Sequence, residues 1–173
     1  MVTRRLRKDE PQMLEMPARK MAVVTGRGAP DRVFPAIASA LYKSAYTLKF
    51  DRKKKGLSDF KVSGLRARYP DAHLRSKEEW TIILGLPVPE DVATLPQQVA
   101  DTGVIIETWE YGTVAQILHL GPYDTETPTI ERLQSFITES GYEIAGAHEE
   151  EYLTRPDAKV IKTLVRYPVR KKS

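Results

Sequence analysis

The chain has no cysteine. That excludes a disulfide framework, a thiolate zinc site and a cysteine nucleophile, and it is compatible with a reducing cytoplasm, the expected location. Histidine is scarce as well. His73, His119 and His148 include no pair at i, i+4 spacing, so they form no convincing metal set. There is no Walker loop and no G-x-S-x-G elbow. Gly26-Arg27-Gly28 lacks the third glycine and the later acidic residue of a dinucleotide fingerprint. No cofactor is therefore expected. No apolar run approaches the roughly 18 residues that span a bilayer, and Met1 to Met16 is too charged for a secretory signal. A membrane partner is not expected.

What remains is an ordinary globular composition: 173 residues, 41% apolar and 29% charged, with a net charge of +4. That suits one domain, or two half-domains sharing a core. The positive charge is clustered at Arg4 to Lys8, Arg52 to Lys55 and Arg170 to Lys172. Such runs read as solvated tails and loops. Direct DNA binding is not expected, because no helix-turn-helix, zinc-knuckle or RNP-like pattern accompanies them.

The organising signal is an internal repeat. Gly28-x-x-Asp31-x-x-x-Pro35-x-Ile37 and Gly121-x-x-Asp124-x-x-x-Pro128-x-Ile130 share one frame. A strand-like run precedes each glycine, Met21–Val24 and Val114–Leu118, and a helical pattern follows. Glycine permits a sharp turn, Asp is a good N-cap, and Pro is tolerated in a first turn. The spacing predicts one helix burying Phe34, Ile37, Leu41, Ala45 and Leu48, and another burying Ile130, Leu133, Phe136 and Ile137 before Gly141. Two strands should follow each helix: Phe60–Arg68 and Trp80–Leu86, then Glu143–Leu153 and Val160–Val169. A linker helix, Pro89–Ala100, interrupted near Pro96, and a strand, Val104–Tyr111, should join the halves. The expected organisation is a charged segment over 1–19, a first half over 20–88, a linker over 89–103 and a second half over 104–173. The fold class is α+β: duplicated β-α-β-β units forming an antiparallel sheet, with helices on one face and a central ligand groove.

The densest anomaly is His148-Glu149-Glu150-Glu151-Tyr152, three acids in a strand pattern that usually depletes them. Alternation puts Glu150 with His148 and Tyr152 on one face, and Glu149 with Glu151 on the other. One reading is a solvated edge strand. The other places Glu150 on a groove floor, partly desolvated and with its pKa raised, able to hold a cation or to act as a base. Trp80 and Trp109 read either as core or as walls for a flat ligand. Tyr46, Tyr111 and Tyr152 add rings with hydroxyls.

These residues match a known pattern. Ala40–Phe50, Glu79-Trp80-Thr81, Ile117–Tyr123 with its G-P-Y, Pro128–Leu133, Gly146–Leu153 with its E-x-Y-L, and Lys162–Pro168 with its K-T-x-x-R-x-P carry the likeness. The chain resembles the GyrI-like small-molecule-binding family in its standalone form, over nearly its whole length from about Met16. The resemblance implies a duplicated β-α-β-β fold with a central cleft. It also implies an inward ligand-binding glutamate at Glu150, with Tyr152 beside it, and an aromatic clasp at Trp80. Some standalone members are hydrolases that open cyclopropane-bearing alkylating natural products with water, aided by a glutamate and a tyrosine. Those relatives carry paired tryptophans after a Gly-Leu, where this chain has Gly64-Leu65-Arg66-Ala67. Arg66 can stack on an aromatic plane but adds charge. The expected function is binding of small, mostly aromatic or apolar molecules, with detoxification as one role. A hydrolase and a topoisomerase-interacting modulator are the alternatives. The site candidates are Glu150 and Tyr152 for catalysis, and Trp80, Trp109, Tyr46, Tyr111, Arg66 and His148 for ligand binding. The expected partner is a small aromatic ligand, and the expected state a monomer or homodimer. A transcription regulator is disfavoured, since about 19 residues precede the first expected strand.

Overall fold

The computed structural model describes residue 7 and residues 10–173. Of the first basic cluster, Arg4, Arg5 and Lys8 lie outside the described residues. In chain order the elements are β1 (Gln12–Met16), β2 (Arg19–Arg27), α1 (Pro30–Lys54), β3 (Arg66–Tyr69), β4 (Thr81–Pro87), β5 (Ile105–Trp109), β6 (Gly112–Leu120), α2 (Thr127–Glu139), β7 (Tyr142–Ile144), β8 (His148–Tyr152) and β9 (Lys162–Lys171). The class is α+β, with antiparallel pairing in each of two compact units. One unit is Ala18–Glu110, and the other joins Met1–Pro17 to Tyr111–Ser173.

In the Ala18–Glu110 unit the strand order is β3-β4-β2-β5. Helix α1 lies on one face. A Cβ on Gly26 would sit 2.6 Å from Val33, so the absence of a side chain is what lets helix and strand touch. Gly26 pairs with Ile82, and directly paired residues share a face, so Ile82, Leu84 and Leu86 point to α1. They are buried with Leu41, Ala45 and Leu48. On the opposite face, the Trp109 ring lies over Gly85, whose Cβ would be 2.6 Å from it.

The other unit repeats this plan. Its order is β8-β9-β6-β1, and β7 pairs with the last residues of β9. Helix α2 buries Leu133 and Ile137 against Ala115, Ile117, Val165, Tyr167 and Val169. Leaving aside the three-residue β7, both units run β-α-β-β, and in each the last strand of that run lies between the other two. The outer strands match too, but β5 comes from the end of its unit's segment and β1 from before both. Gly28 (φ 137°) and Gly121 (φ 124°) follow β2 and β6 in the backbone region that glycine favours.

Several local expectations need correction. Neither aspartate of the frame is an N-cap. Ala29 precedes α1, with Pro30 and Asp31 already in its first turn, and Asp124 sits in a 3₁₀ turn, Tyr123–Thr125, ahead of Glu126 at the N-cap of α2. Pro35 lies inside α1 rather than at its start. Of the residues expected to be buried, Phe34, Ile37, Ile130 and Phe136 are only half-buried. Pro89–Ala100 is not an α-helix, and only Gln97–Val99 coils, as a single 3₁₀ turn. Lys20 Nζ instead holds that segment by donating to the Glu90 and Val92 carbonyls at 2.8 Å each. The strand expected from Phe60 starts only at Arg66, after Gly64 at φ 75°. Glu143–Leu153 is two strands. A Cβ on Gly146 would lie 2.5 Å from the Pro168 ring, so the chain breaks there, and Ala145 donates to the Pro168 carbonyl at 2.8 Å. Arg52, read as a solvated charge, is buried and donates to Ser58 and Asp91. Finally, β1 lies within the segment read as a charged terminus.

Candidate functional site

Strand β8 divides its three acids as a pleat must. Glu150 pairs with Val165 and Tyr152 with Thr163. Val165 packs under α2, so His148, Glu150 and Tyr152 face the helix side. Glu149 and Glu151 face the other side, where Arg166 takes both. Its Nη1 donates to Glu149 Oε2 at 2.6 Å, Nη2 to Glu151 Oε1 at 3.2 Å and Nε to Gln116 Oε1 at 3.0 Å. Tyr111 Oη donates to Glu149 Oε1 at 3.0 Å. Burial alone would lower the Arg166 guanidinium, but the two carboxylates outweigh it and raise it. The outer acids of the run are therefore structural.

Glu150 has a different setting. Tyr152 Oη donates to its Oε2 at 2.9 Å, and His148 Nε2 stands 3.5 Å from its Oε1. His148 Nδ1 is 2.8 Å from Tyr167 Oη, which Gln134 reaches at 3.5 Å. Tyr167 donating to Nδ1 leaves the Nε2 proton for Glu150, a tautomer assigned from the network. Among the described residues no lysine or arginine forms an ion pair with Glu150.

The residue that completes the cluster is Glu126. It is 7% exposed, and its Oε1 has no hydrogen-bond partner. Burial, then a hydrogen bond to Glu150 and that group's charge, push the Glu126 carboxyl far above the usual range. Burial acts to raise Glu150, the direction expected from the sequence, but hydrogen bonds from His148, Glu126 and Tyr152 win and hold it below the usual range instead. Two adjacent buried carboxylates cannot both ionise cheaply, so the pair favours sharing a single proton. Tyr123 stands edge-on to Tyr152 at 5.7 Å, and burial with the nearby glutamates raises its phenol. On the same face Thr163 is fully buried and its Oγ1 has no hydrogen-bond partner. His119 fixes this end of α2, with Nδ1 at 2.8 Å from Thr129 Oγ1 and Nε2 at 3.0 Å from the Pro122 carbonyl.

The structure brings Glu150, Tyr152 and His148 into one cluster. Tyr111 belongs to the same unit but joins the Arg166 network. The remaining candidates lie in the other unit. Trp109 is 2% exposed, donates to Glu107 and stacks under Arg68 at 3.8 Å. Trp80 is half-buried, edge-on to Tyr69 at 5.8 Å, with Nε1 donating to the Arg75 carbonyl. Arg66 pairs with Gly85, on the face away from α1. Tyr46 is exposed on α1, beside an open hollow of about 430 Å³ that Lys49, Asp59 and Phe60 also line. Sequence reasoning missed Glu126, Tyr123 and Thr163, although the last two stand inside the G-P-Y and K-T-x-x-R-x-P motifs. Among the described residues no three His, Asp or Glu side chains are placed to hold a metal ion, and no helix is long and apolar enough to cross a membrane.

The model of the GyrI-like small molecule binding domain matches residues 9–170. The chain belongs to this family. It is similar to a hydrolase from Listeria innocua at 26% identity, covering 94% of this chain and 93% of that one, with a TM-score of 0.79. An uncharacterised conserved protein from the same organism matches at 26% identity and the same coverage, with a TM-score of 0.81. The C-terminal domain of EcmrR shares the fold at 16% identity, covering 94% and 98%, with a TM-score of 0.68. No curated protein matches the chain.

Proposed function

We propose that this GyrI-like domain binds small, mostly aromatic or apolar molecules, and that Glu150 and Tyr152 form the polar end of the site. The observation that carries this reading is a buried carboxylate whose near neighbours are tyrosine rings, a histidine and a second carboxyl. A cluster confined to structural work would pair Glu150 with a guanidinium, as Arg166 does for Glu149 on the opposite face. Desolvated polar groups set among aromatic rings are how apolar sites fix a ligand's orientation. In the other unit Trp80 and Tyr46 are solvent-accessible and are separate candidates for contact with an aromatic molecule. Intrinsic fluorescence titration against a panel of planar aromatics tests the proposal. Saturable binding that Glu150→Ala weakens by tenfold or more is expected, at about 1.4 kcal/mol per tenfold. No saturable binding to any member would end it.

A second reading, hydrolysis, is favoured by a buried carboxylate with a second carboxyl and a tyrosine beside it, together with the hydrolase from Listeria among the similar structures. Glu150 would draw a proton from water attacking an electrophilic carbon such as that of a strained ring; the ring C–C bond breaks, its electron pair passes to a conjugated carbonyl, and Tyr152 or Glu126 would donate to that carbonyl oxygen, or to the leaving oxygen of another electrophile. General-base assistance contributes about 10²–10⁴-fold. Glu150→Gln should lower turnover by about that factor while a neutral ligand still binds. Undiminished turnover would exclude the mechanism.

A further inference from the structure

The positive charge of the chain is concentrated in one short stretch. Residues 43–61 hold seven basic side chains and two acidic ones, a net of +5 in a chain whose total is +4. Both acids are taken up within the stretch, Asp51 by Lys55 at 2.9 Å and Asp59 by Lys49 at 2.7 Å. Basic side chains in the last turn of a helix complement its dipole, which accounts for Arg52, Lys53 and Lys54 at the end of α1. It does not account for Lys43, Lys49 and Lys61, which lie outside that turn.

Lys49 and Lys61 line the open hollow of about 430 Å³ together with Tyr46, Asp59, Phe60 and Val62. One wall is the segment 57–62, which has neither helix nor strand and is fixed by side chains of α1. Buried Arg52 donates to the Ser58 carbonyl at 3.1 Å and to Ser58 Oγ at 3.0 Å. Lys49 Nζ donates to Asp59 Oδ1 at 2.7 Å and to the Phe60 carbonyl. The Phe60 N–H closes the clip on Asp59 Oδ1 at 2.8 Å. The hollow is therefore largely pre-formed, as small-molecule sites usually are. Tyr46 stacks on Phe50 at 6.4 Å between ring centroids, and the two rings remain 43% and 55% exposed. An ammonium has three N–H donors, of which Lys49 spends two on this clip. Among the described residues exposed Lys61 forms no ion pair.

We propose that this hollow binds small aromatic anions: the ring lies against Tyr46 and Phe60, and its carboxylate, sulfonate or phosphate group meets Lys61 and the remaining donor of Lys49. Charge complementarity selects the ligand, because the two lysines outnumber the single acid and that acid is already paired. A hollow of this volume suits a molecule of one or two rings rather than a length of polymer. The site lies wholly within the Ala18–Glu110 unit, and its ligand preference does not depend on the Glu150 cluster.

Fluorescence titration with 8-anilinonaphthalene-1-sulfonate tests the proposal, and N-phenyl-1-naphthylamine is the neutral probe with the same rings. The sulfonate should bind saturably, and 2-naphthoate should displace it. Lys61→Glu should raise the sulfonate Kd by about tenfold or more and leave the neutral probe within about twofold, while Lys61→Arg should retain the sulfonate. Tyr46→Ala should weaken both probes by about fivefold or more, the lower end for one lost stacking contact. Both replaced side chains are exposed, so these variants test the site without opening the core. Glu150→Ala should leave the sulfonate Kd unchanged. A sulfonate Kd that moves in neither Lys61→Glu nor Tyr46→Ala overturns the proposal. So does an equal loss of both probes in Lys61→Glu, since charge would then select nothing. A loss in Glu150→Ala with none in Lys61→Glu assigns the anion to the β8 cluster, which overturns the hollow and spares the ligand site proposed above. Displacement by a glutamate-rich peptide carrying one phenylalanine, but not by 2-naphthoate, would make the occupant an acidic protein segment and overturn it as well.

Discussion

Arg166 and Glu149 meet at 2.6 Å with 3% and 2% of their side chains exposed, a fully desolvated ion pair on the sheet face away from α2. Breaking such a pair from one side strands the other charge, which typically costs about 3–5 kcal/mol. Arg166→Ala removes the guanidinium that donates to Glu149, Glu151 and Gln116. Urea unfolding should show a loss of about that size with an unchanged slope. Arg166→Met combined with Glu149→Leu should recover at least half of it, because the charge is then removed along with its partner. A loss under about 1 kcal/mol in Arg166→Ala would mean that water reaches the pair.

The same run shows how far residues alone can be read. Alternation in His148–Tyr152 correctly separates Glu150 from its neighbours, because a pleat has only two faces. What holds Glu149 and Glu151 is a residue 15 to 17 positions away, on a strand whose register is set by the whole sheet. The repeat frame was legible because glycine at a strand-to-helix turn is a local backbone requirement. β1 was not, since a five-residue strand with one alternating acid looks like any charged segment until β6 pairs with it. The linker misled for a related reason. Val92 and Val99 have helical spacing, but Pro89 and Pro96 and the Lys20 staple decide the backbone there. Glu126 escaped notice because an acid at a helix N-terminus is commonplace. Its significance depends on Glu150, 24 positions on, and only the tertiary fold supplies that.

Glu126 also predicts how stability depends on pH. Its carboxyl lies above its ordinary value of 4.5 in the folded protein, with burial as the largest cause. Well below pH 4.5 the folded and unfolded chains both hold this proton, so it has no effect. As pH rises, the unfolded chain gives up the proton and the folded chain retains it, and folding loses about 1.4 kcal/mol per unit. Glu126→Gln keeps a donor toward Glu150 and cannot ionise. The variant should therefore match the wild type near pH 4 and exceed it by roughly 3 kcal/mol at pH 7. Thermal or urea unfolding of both proteins across pH 4 to 8 checks this. Two parallel curves would mean that Glu126 titrates alike in both states.

The two tryptophans should separate cleanly in fluorescence. Trp109 is sealed between Gly85 and the Arg68 guanidinium, with its N–H spent on Glu107 at 2.8 Å. Trp80 stands just before β4, half-buried against Tyr69, with Lys77 Nζ 6.0 Å from its ring. Acrylamide should quench the emission that remains in Trp109→Phe and spare most of what remains in Trp80→Phe. Trp109→Phe should also lower stability, because the smaller ring leaves part of the space over Gly85 unfilled. If Trp80 touches the bound aromatic, ligand quenching persists in Trp109→Phe and disappears in Trp80→Phe. Trp80→Ala should then weaken binding by about 1–3 kcal/mol, the range for one aromatic stacking contact. That corresponds to roughly 5- to 150-fold in Kd. Quenching that survives in Trp80→Phe, with affinity unchanged in Trp80→Ala, would assign Trp80 to packing against Tyr69 alone and leave ligand recognition to other side chains.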